Sequence, residues 1–205
     1  MWRLKGTALE ISPALPVVLA AFVVLSSPLL LAAILLSAAC HEWGHYAALR
    51  RFGGRVERLR LTAFGAVMEV GNTAHISYGA EILTVLAGPA VNLMLAVLLA
   101  LCGRWWGTAY LFAGANLVLG VFNLLPAPPL DGAQFLWLTV AWLTEPFTAD
   151  RVMRAVGVAA SAAVVCGGVV LTCRAGGSPF LLLGAVGLLV ANLREKGLVK
   201  LSPTR

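Results

Sequence analysis

The chain has 205 residues, of which 60% are hydrophobic and only 12% charged. A soluble domain carries roughly 25% charged residues, so the composition excludes an ordinary soluble protein and predicts an integral membrane protein with a single domain over residues 1–205. The formal net charge of +6 does not indicate a nucleic-acid partner. Membrane proteins concentrate Lys and Arg in cytoplasmic loops, and the sequence has no basic stripe with interleaved aromatic residues.

Apolar runs predict an all-α polytopic membrane protein with about six transmembrane helices, each of about 20 residues. The predicted spans lie near residues 13–27, 28–49, 79–102, 109–125, 152–173 and 179–193. The first and last are short. The basic N-terminus before the first run resembles a signal peptide. Because no polar mature domain follows a cleavage site, we interpret this run as a retained first span.

The distribution of Lys and Arg predicts that both termini are cytoplasmic. In the six-span arrangement, the two termini and the segments after the second and fourth spans share one side of the membrane. Together they hold 13 of the 15 Lys and Arg residues, and the opposite side holds Arg104 and Arg174. An excess of basic residues marks the cytoplasmic side.

The segment between the second and third predicted spans is too polar to cross a membrane. Gly53 and Gly54 precede a stretch from Val56 to Val70 in which apolar residues partly alternate. Glycine pairs and alternation predict a small β-hairpin rather than a helix, and we expect it at the cytoplasmic membrane surface. A plain loop is the alternative.

The second span contains the sequence His41-Glu42-Trp43-Gly44-His45, which reads H-E-x-x-H. On a helix, residues four apart share one face, so both imidazoles can point at one metal ion. Glu42 lies beside them, where it can take a proton from an attacking water. Because the motif follows a long apolar run, we predict a zinc site at membrane depth, about 14 Å from the cytoplasmic end of the helix.

Two histidines do not complete a catalytic zinc site, which usually has three protein ligands and one open position. Asp131 is the best candidate for the third ligand. It follows an apolar helix and a turn with three prolines, Pro126, Pro128 and Pro129. Prolines prevent a continuous helix, and irregular backbone at membrane depth is tolerated only where it is buried or lines a wet cavity.

Other potential ligands are weaker candidates. Several acidic residues and one histidine fall in loops, in polar turns or on the cytoplasmic side: Glu69, His75, Glu81, Glu145 and Asp150. The four cysteines have no C-x-x-C spacing, and we predict that they are structural apolar residues: Cys40, Cys102, Cys166 and Cys173. Cys40 lies about 100° around the helix from His41, so we do not expect it to bind the metal.

Three segments together resemble the site-2 protease family of intramembrane zinc metalloproteases. They are residues 41–45 (HEWGH), 86–92 (LAGPAVN) and 123–132 (NLLPAPPLDG). Three motifs in this order are more specific than a lone H-E-x-x-H. The resemblance implies one zinc ion held by His41, His45 and Asp131, with Glu42 as the catalytic glutamate. It also implies that Asn123 and Pro129 shape the site near the substrate, and that the predicted hairpin is a reentrant β element.

The sequence is most similar to the compact bacterial branch of this family, which includes the sporulation sigma-factor processing protease. That branch lacks an inserted PDZ domain, so none is expected here. We also do not expect the C-terminal CBS domain that some relatives have, because the sequence ends soon after the last predicted span. The resemblance implies a location in the bacterial cell membrane. It further implies a membrane-protein or membrane-associated substrate, such as a membrane-tethered transcription factor, a pro-sigma factor or an anti-sigma factor. A regulatory membrane partner or a homo-oligomer is compatible with the sequence.

Three other interpretations use the same residues. A membrane metal-ion carrier would hold a transported ion with His41, His45 and Asp131. A catalytically inactive scaffold would bind membrane helices, but it has no need of these buried polar groups. A zinc protease of another family would use a later glutamate as its third ligand, and the predicted spans after the motif contain no glutamate except Glu81, at the start of one of them.

Overall fold

The computed structural model describes residues 26–62, 65–71 and 76–175, with short pieces of the N-terminal segment (2–4, 7–13, 15, 16, 20 and 23). Within these residues the chain is mainly helical and carries one small sheet. The strands are β1 (Trp2–Leu4), β2 (Thr7–Ile11), β3 (Arg55–Thr62) and β4 (Gly65–Gly71). The helices are α1 (Pro28–Arg51), α2 (Tyr78–Cys102), α3 (Ala109–Asn123), α4 (Asp131–Leu143) and α5 (Pro146–Ala175).

The chain divides into two compact units, Met1–Val121 and Phe122–Arg205. The first unit contains the sheet, α1, α2 and nearly all of α3. The second contains the end of α3, a proline-rich turn, α4 and α5.

Helix α1 has clear signals at both ends. The side chain of Ser27 accepts a hydrogen bond from the Leu30 backbone N–H at 3.2 Å, and Pro28 follows in the first turn, where its missing N–H costs nothing. At the other end, Gly53 adopts a positive φ of 82°, a conformation that glycine reaches without strain. The Gly53 N–H donates to the Arg50 carbonyl at 3.2 Å, which closes the helix.

The sheet has the order β1-β2-β3-β4. Strands β1 and β2 are antiparallel, β2 and β3 are parallel, and β3 and β4 are antiparallel with an irregularity between Val56 and Arg58. The Glu10 carboxylate joins β2 to β3, since it accepts from Arg60 Nε at 3.1 Å and lies 3.6 Å from Arg58 Nε. An antiparallel pair therefore stands where the hairpin was predicted, but it belongs to a larger, four-stranded sheet.

The N-terminal strands correct the sequence interpretation. The residues before 13 were interpreted only as the basic flank of a first span, whereas residues 2–4 and 7–11 pair with each other and with β3. Their partner lies about 50 residues further along the chain, and such non-local pairing is not visible in a local pattern. The predicted span 13–27 lies mostly outside the described residues, and the predicted span 179–193 lies entirely outside them.

Two helices in the described part of the chain are long and apolar enough to cross a membrane, Tyr78–Cys102 and Pro146–Val170. Ala109–Asn123 is a shorter apolar helix. Helix α5 begins at Pro146, earlier than the predicted start at residue 152, so Arg151 belongs to a helix and not to a loop. Helix α4 was not predicted.

The second unit is held together by the turn and by α5. Ala127 and Leu130 in the turn are buried, and Leu125, Ala160 and Val164 pack against them. The Trp137 indole N–H of α4 donates to the Asp150 carboxylate of α5 at 2.7 Å. These contacts fix the start of α4, where Asp131 is located.

Candidate metal centre

His41 and His45 bring their imidazole rings together on one side of α1. Their Nε2 atoms lie 3.1 Å apart, and the rings meet edge to face with centroids 4.7 Å apart. His41 is buried, with 5% of its surface exposed, and His45 is half-buried. These distances confirm the predicted convergence of the two histidines. Its cause is helical periodicity, since residues four apart on a helix share a face.

The Nδ1 atom of His41 lies 2.6 Å from Oδ1 of Asn92 on α2. The amide group of Asn92 donates through Nδ2 to the Ser37 carbonyl at 3.1 Å and to Oδ1 of Asn116 on α3 at 2.8 Å. Since the Asn92 Nδ2 hydrogens are directed at these two acceptors, its Oδ1 must accept, and His41 donates from Nδ1.

His45 is held by the backbone instead of a side chain. Its Nδ1 donates to the Thr84 carbonyl of α2 at 2.8 Å. A carbonyl oxygen only accepts, so the proton of a neutral His45 ring resides on Nδ1. The buried Pro89 lies in the same helix. Because proline has no N–H, it removes one backbone hydrogen bond within α2.

These contacts determine which atoms the two rings present to each other. With Nδ1 donating in both neutral rings, each Nε2 carries a lone pair. Two lone pairs 3.1 Å apart repel each other unless a proton or a metal ion lies between them. Metal-binding histidines usually donate their other ring N–H to a carbonyl, carboxylate or similar acceptor. The pair therefore has the tautomers and the outer hydrogen bonds of two zinc ligands.

Small residues allow α2 to approach the histidines closely. A Cβ atom added to Gly44 would lie 2.8 Å from the Ala87 carbonyl oxygen and 3.1 Å from the Gly88 Cα. A Cβ atom on Gly88 would collide with the His45 ring. Close helix packing through small residues is common in membranes. The glycines of both motifs thus place α2 against the histidine face of α1.

Glu42 follows His41 directly and is half-buried. It lies on the same helical turn as the two histidines, as the H-E-x-x-H motif requires. A carboxylate beside a metal ion at this position can exchange a proton with a water molecule.

The second unit contains the other predicted site residues. Asp131 is half-buried and occupies the first turn of α4. Gly132 packs so tightly against the Leu124 backbone that a Cβ atom there would clash. Asn123 is half-buried at the end of α3, and Pro129 is exposed in the turn, after a cis peptide bond from Pro128. The turn therefore fixes the backbone from Asn123 to Asp131.

The weaker candidates have ordinary surroundings where the structure describes them. Glu81 lies in the first turn of α2, where an acidic residue interacts favourably with the helix dipole. Asp150 is exposed and accepts from Trp137, and Glu145 is exposed just before α5. His75 and the Glu69 side chain lie outside the described residues. All four cysteines are free thiols.

Sequence reasoning missed the roles of Asn92, Asn116 and the Thr84 carbonyl. Asn92 was noted only as the last residue of the second motif. Both asparagines are polar residues within apolar helices, and buried polar groups in such helices require partners. That signal indicates a buried network, but it does not identify His41 as the partner.

The comparisons with known proteins agree with these motifs. The model of peptidase family M50 matches residues 29–106 and 99–166, which is more than half of the chain. Rip3 of Mycobacterium tuberculosis is 36% identical over 123 residues, covering 51% of this chain and 30% of Rip3. Stage IV sporulation protein FB of Bacillus subtilis is 33% identical over 109 residues, covering 51% of this chain and 38% of that protein.

A solved structure has the same fold. The site-2 protease from Methanocaldococcus jannaschii aligns with a TM-score of 0.73 over 100% of this chain and 98% of that chain, at 20% sequence identity. At this identity the likeness shows the fold alone. The sequence matches span only 30% and 38% of the length of the two curated relatives.

Proposed function

Because the chain belongs to peptidase family M50, the site-2 protease family, we propose that it is an intramembrane zinc metalloprotease. Its composition and its two described helices of membrane-spanning length are those of an integral membrane protein. It hydrolyses a peptide bond within or next to a membrane segment of its substrate. The observation that carries this proposal is the pair of Nε2 atoms 3.1 Å apart, each oriented by a hydrogen bond at Nδ1.

One zinc ion is held by His41, His45 and Asp131 in this proposal. Each residue would offer one ligand atom, so the set would supply two imidazole nitrogens and one carboxylate oxygen. Two nitrogens and one carboxylate oxygen match the ligand sets of catalytic zinc sites in hydrolases, which leave one position open. The proline-rich turn supports the role of Asp131, because it sets the backbone at the start of α4.

Zinc supplies Lewis-acid chemistry when bound, since it lowers the pKa of water and polarises the scissile carbonyl. Glu42 takes a proton from the attacking water and passes it to the leaving amine, so that it acts first as a base and then as an acid. His41 and His45 keep their Nδ1 protons throughout, because these are donated to Asn92 and Thr84. Asn123 and Pro129 contact the substrate near the scissile bond.

The substrate must unwind locally before it is cleaved, because a membrane helix satisfies its own backbone hydrogen bonds. Strand β4 is the last strand in the sheet order and can add an extended segment through its outer edge. We expect a membrane-tethered transcription factor, a pro-sigma factor or an anti-sigma factor as the substrate. The protein lies in a bacterial cell membrane with six spans and both termini cytoplasmic.

Co-expression with candidate membrane-tethered substrates tests this function. The wild type should cleave one of them, and Glu42→Gln should not, although both proteins should contain equal amounts of zinc. A metal-ion carrier using the same three residues would behave differently, because zinc uptake into proteoliposomes would survive in Glu42→Gln. Equal uptake by both proteins without any proteolysis would overturn the protease assignment in favour of the carrier.

A further inference from the structure

A buried chain of side-chain amides connects α3 to the first histidine of the metal centre. We propose that Asn92 and Asn116 are positioning residues that fix the ring tautomer of His41, and thereby the nitrogen that His41 presents to zinc. The tautomer itself follows from contacts within the first unit. Its consequence for zinc binding rests on the proposed function.

The orientation of Asn92 allows only one arrangement of protons. Its Nδ2 lies 3.1 Å from the Ser37 carbonyl and 2.8 Å from Oδ1 of Asn116, and its Oδ1 lies 2.6 Å from His41 Nδ1. A rotation of the amide by 180° would place Oδ1 against the two acceptors and leave Nδ2 against His41. Two acceptor–acceptor contacts in a buried site are strongly unfavourable, so Asn92 accepts from His41.

Asn116 acts on His41 indirectly, because it fixes the orientation of the Asn92 amide. Its Nδ2 donates to the Phe112 carbonyl within α3 at 2.9 Å, so that its Oδ1 faces Asn92. Gly120 follows one turn later on α3, and a Cβ atom there would lie 3.1 Å from the Asn92 Cβ. The small residue lets α3 approach α2 closely enough for the two amides to meet.

The side chains of this hydrogen-bonded chain are buried, so their hydrogen bonds must be made within the protein. Asn92 has none of its surface exposed, Asn116 has 3% and His41 has 5%. Water cannot readily replace a lost acceptor in such a place. His45 differs, because its acceptor is the Thr84 backbone carbonyl. The acceptor at Nδ1 of His41 is therefore a side chain, which substitution at Asn92 or Asn116 can alter, whereas the acceptor at Nδ1 of His45 is part of the backbone.

The first test reads the tautomer directly. The chain has three histidines, so His75→Gln leaves only the two site histidines for nitrogen NMR of the detergent-solubilised, metal-free protein labelled with ¹⁵N-histidine. The His41 signal, assigned by its loss in His41→Gln, should show a protonated, pyrrole-type Nδ1. A pyridine-type Nδ1 at His41 would overturn the inference. This measurement requires neither zinc nor proteolysis, so its outcome is independent of the proposed function.

The second test measures zinc affinity by competition with a chromophoric chelator. Asn92→Leu should weaken zinc binding about 10- to 100-fold, the usual effect of losing an outer hydrogen bond to a ligand. Asn116→Leu should weaken it in the same direction by a smaller factor. Thr172→Val, which removes a half-buried helical hydrogen bond in α5, should bind zinc like the wild type.

Folded Asn92→Leu protein that binds zinc as tightly as the wild type would overturn the inference. If the leucine variants do not fold, the NMR measurement of the His41 tautomer, made on protein that keeps Asn92 and Asn116, decides whether the inference is correct. Intact tautomers together with absent proteolysis would count against the proposed function and leave this inference standing.

Discussion

The Nε2 atom of His41 lies 3.1 Å from that of His45, while Nδ1 of each ring is directed at an acceptor on α2. This relationship links the sequence motif to its chemistry. Helical spacing brings the rings together, and the acceptors on α2 decide which nitrogen of each ring is protonated. A metal ion between the two lone pairs relieves their repulsion, which is why we interpret the pair as half of a zinc site.

The Glu42→Gln substitution should separate catalysis from metal binding. The amide cannot take a proton from water, so we expect cleavage of a substrate to fall about 10²- to 10⁴-fold, the usual contribution of a general base. Zinc content should stay at the wild-type level. Glu81→Gln, in the first turn of α2, is the matched control and should cleave normally. Substantial cleavage by Glu42→Gln would remove this residue from the mechanism.

The Gly44→Ala substitution should force α1 and α2 apart. Its Cβ atom would lie 2.8 Å from the Ala87 carbonyl oxygen, and overpacking of this kind costs about 1–3 kcal/mol. Thermal unfolding in detergent should therefore begin at a lower temperature. Gly114→Ala is the control, because a Cβ atom there meets nothing within 4 Å on helix α3 and alanine favours a helix by about 0.5–1 kcal/mol. If both variants unfold alike, the close approach at Gly44 is not important.

Proline substitutions in β4 should test whether its edge binds the substrate. Val67 pairs with Arg60 and Met68 with Leu59 of β3. Consecutive residues direct their N–H groups alternately towards the partner strand and away from it. One of the variants Val67→Pro and Met68→Pro should therefore leave the sheet intact and still reduce cleavage without loss of zinc. Alanine at the same positions serves as the control. Normal cleavage by both proline variants would exclude the edge as a docking site.

The hydrogen bond between Trp137 and Asp150 should stabilise α4 against α5. We expect Trp137→Phe to lower the free energy of unfolding by about 0.5–1.5 kcal/mol, the net value of one hydrogen bond. Asp150→Asn keeps an oxygen acceptor and should cost less. Chemical denaturation of the detergent-solubilised protein measures both. Unchanged stability in Trp137→Phe would contradict this prediction, whereas an equal loss in the two variants would mean that the hydrogen bond depends on the charge of the carboxylate.

Helices α2 and α3 and the pairing of the two motif histidines could be predicted from the sequence, because they depend on interactions between residues that are close together in the chain. Helices α2 and α3 begin and end within two residues of the apolar runs that predicted them, since continuous apolar residues must satisfy their backbone hydrogen bonds within a helix. The pairing of His41 with His45 follows from helical periodicity alone.

Other features depend on contacts between distant segments. Strand β2 exists because it pairs with β3, and helix α4 is a short helix whose first turn is set by the preceding proline-rich turn. The roles of Asn92 and Asn116 require three helices to meet at one point. A sequence pattern identifies a polar residue in an apolar helix, but its partner emerges only from packing.

We propose that His41, His45 and Asp131 together hold one zinc ion. Elemental analysis of the purified protein, combined with chelator competition, tests it most directly across the wild type, the alanine variants of the three ligands and Asp150→Asn as an acidic control. We predict one zinc per chain in the wild type and in Asp150→Asn, and strongly weakened binding in each ligand variant. If Asp131→Ala binds zinc with wild-type stoichiometry and affinity, Asp131 is not a zinc ligand and the proposed site is wrong.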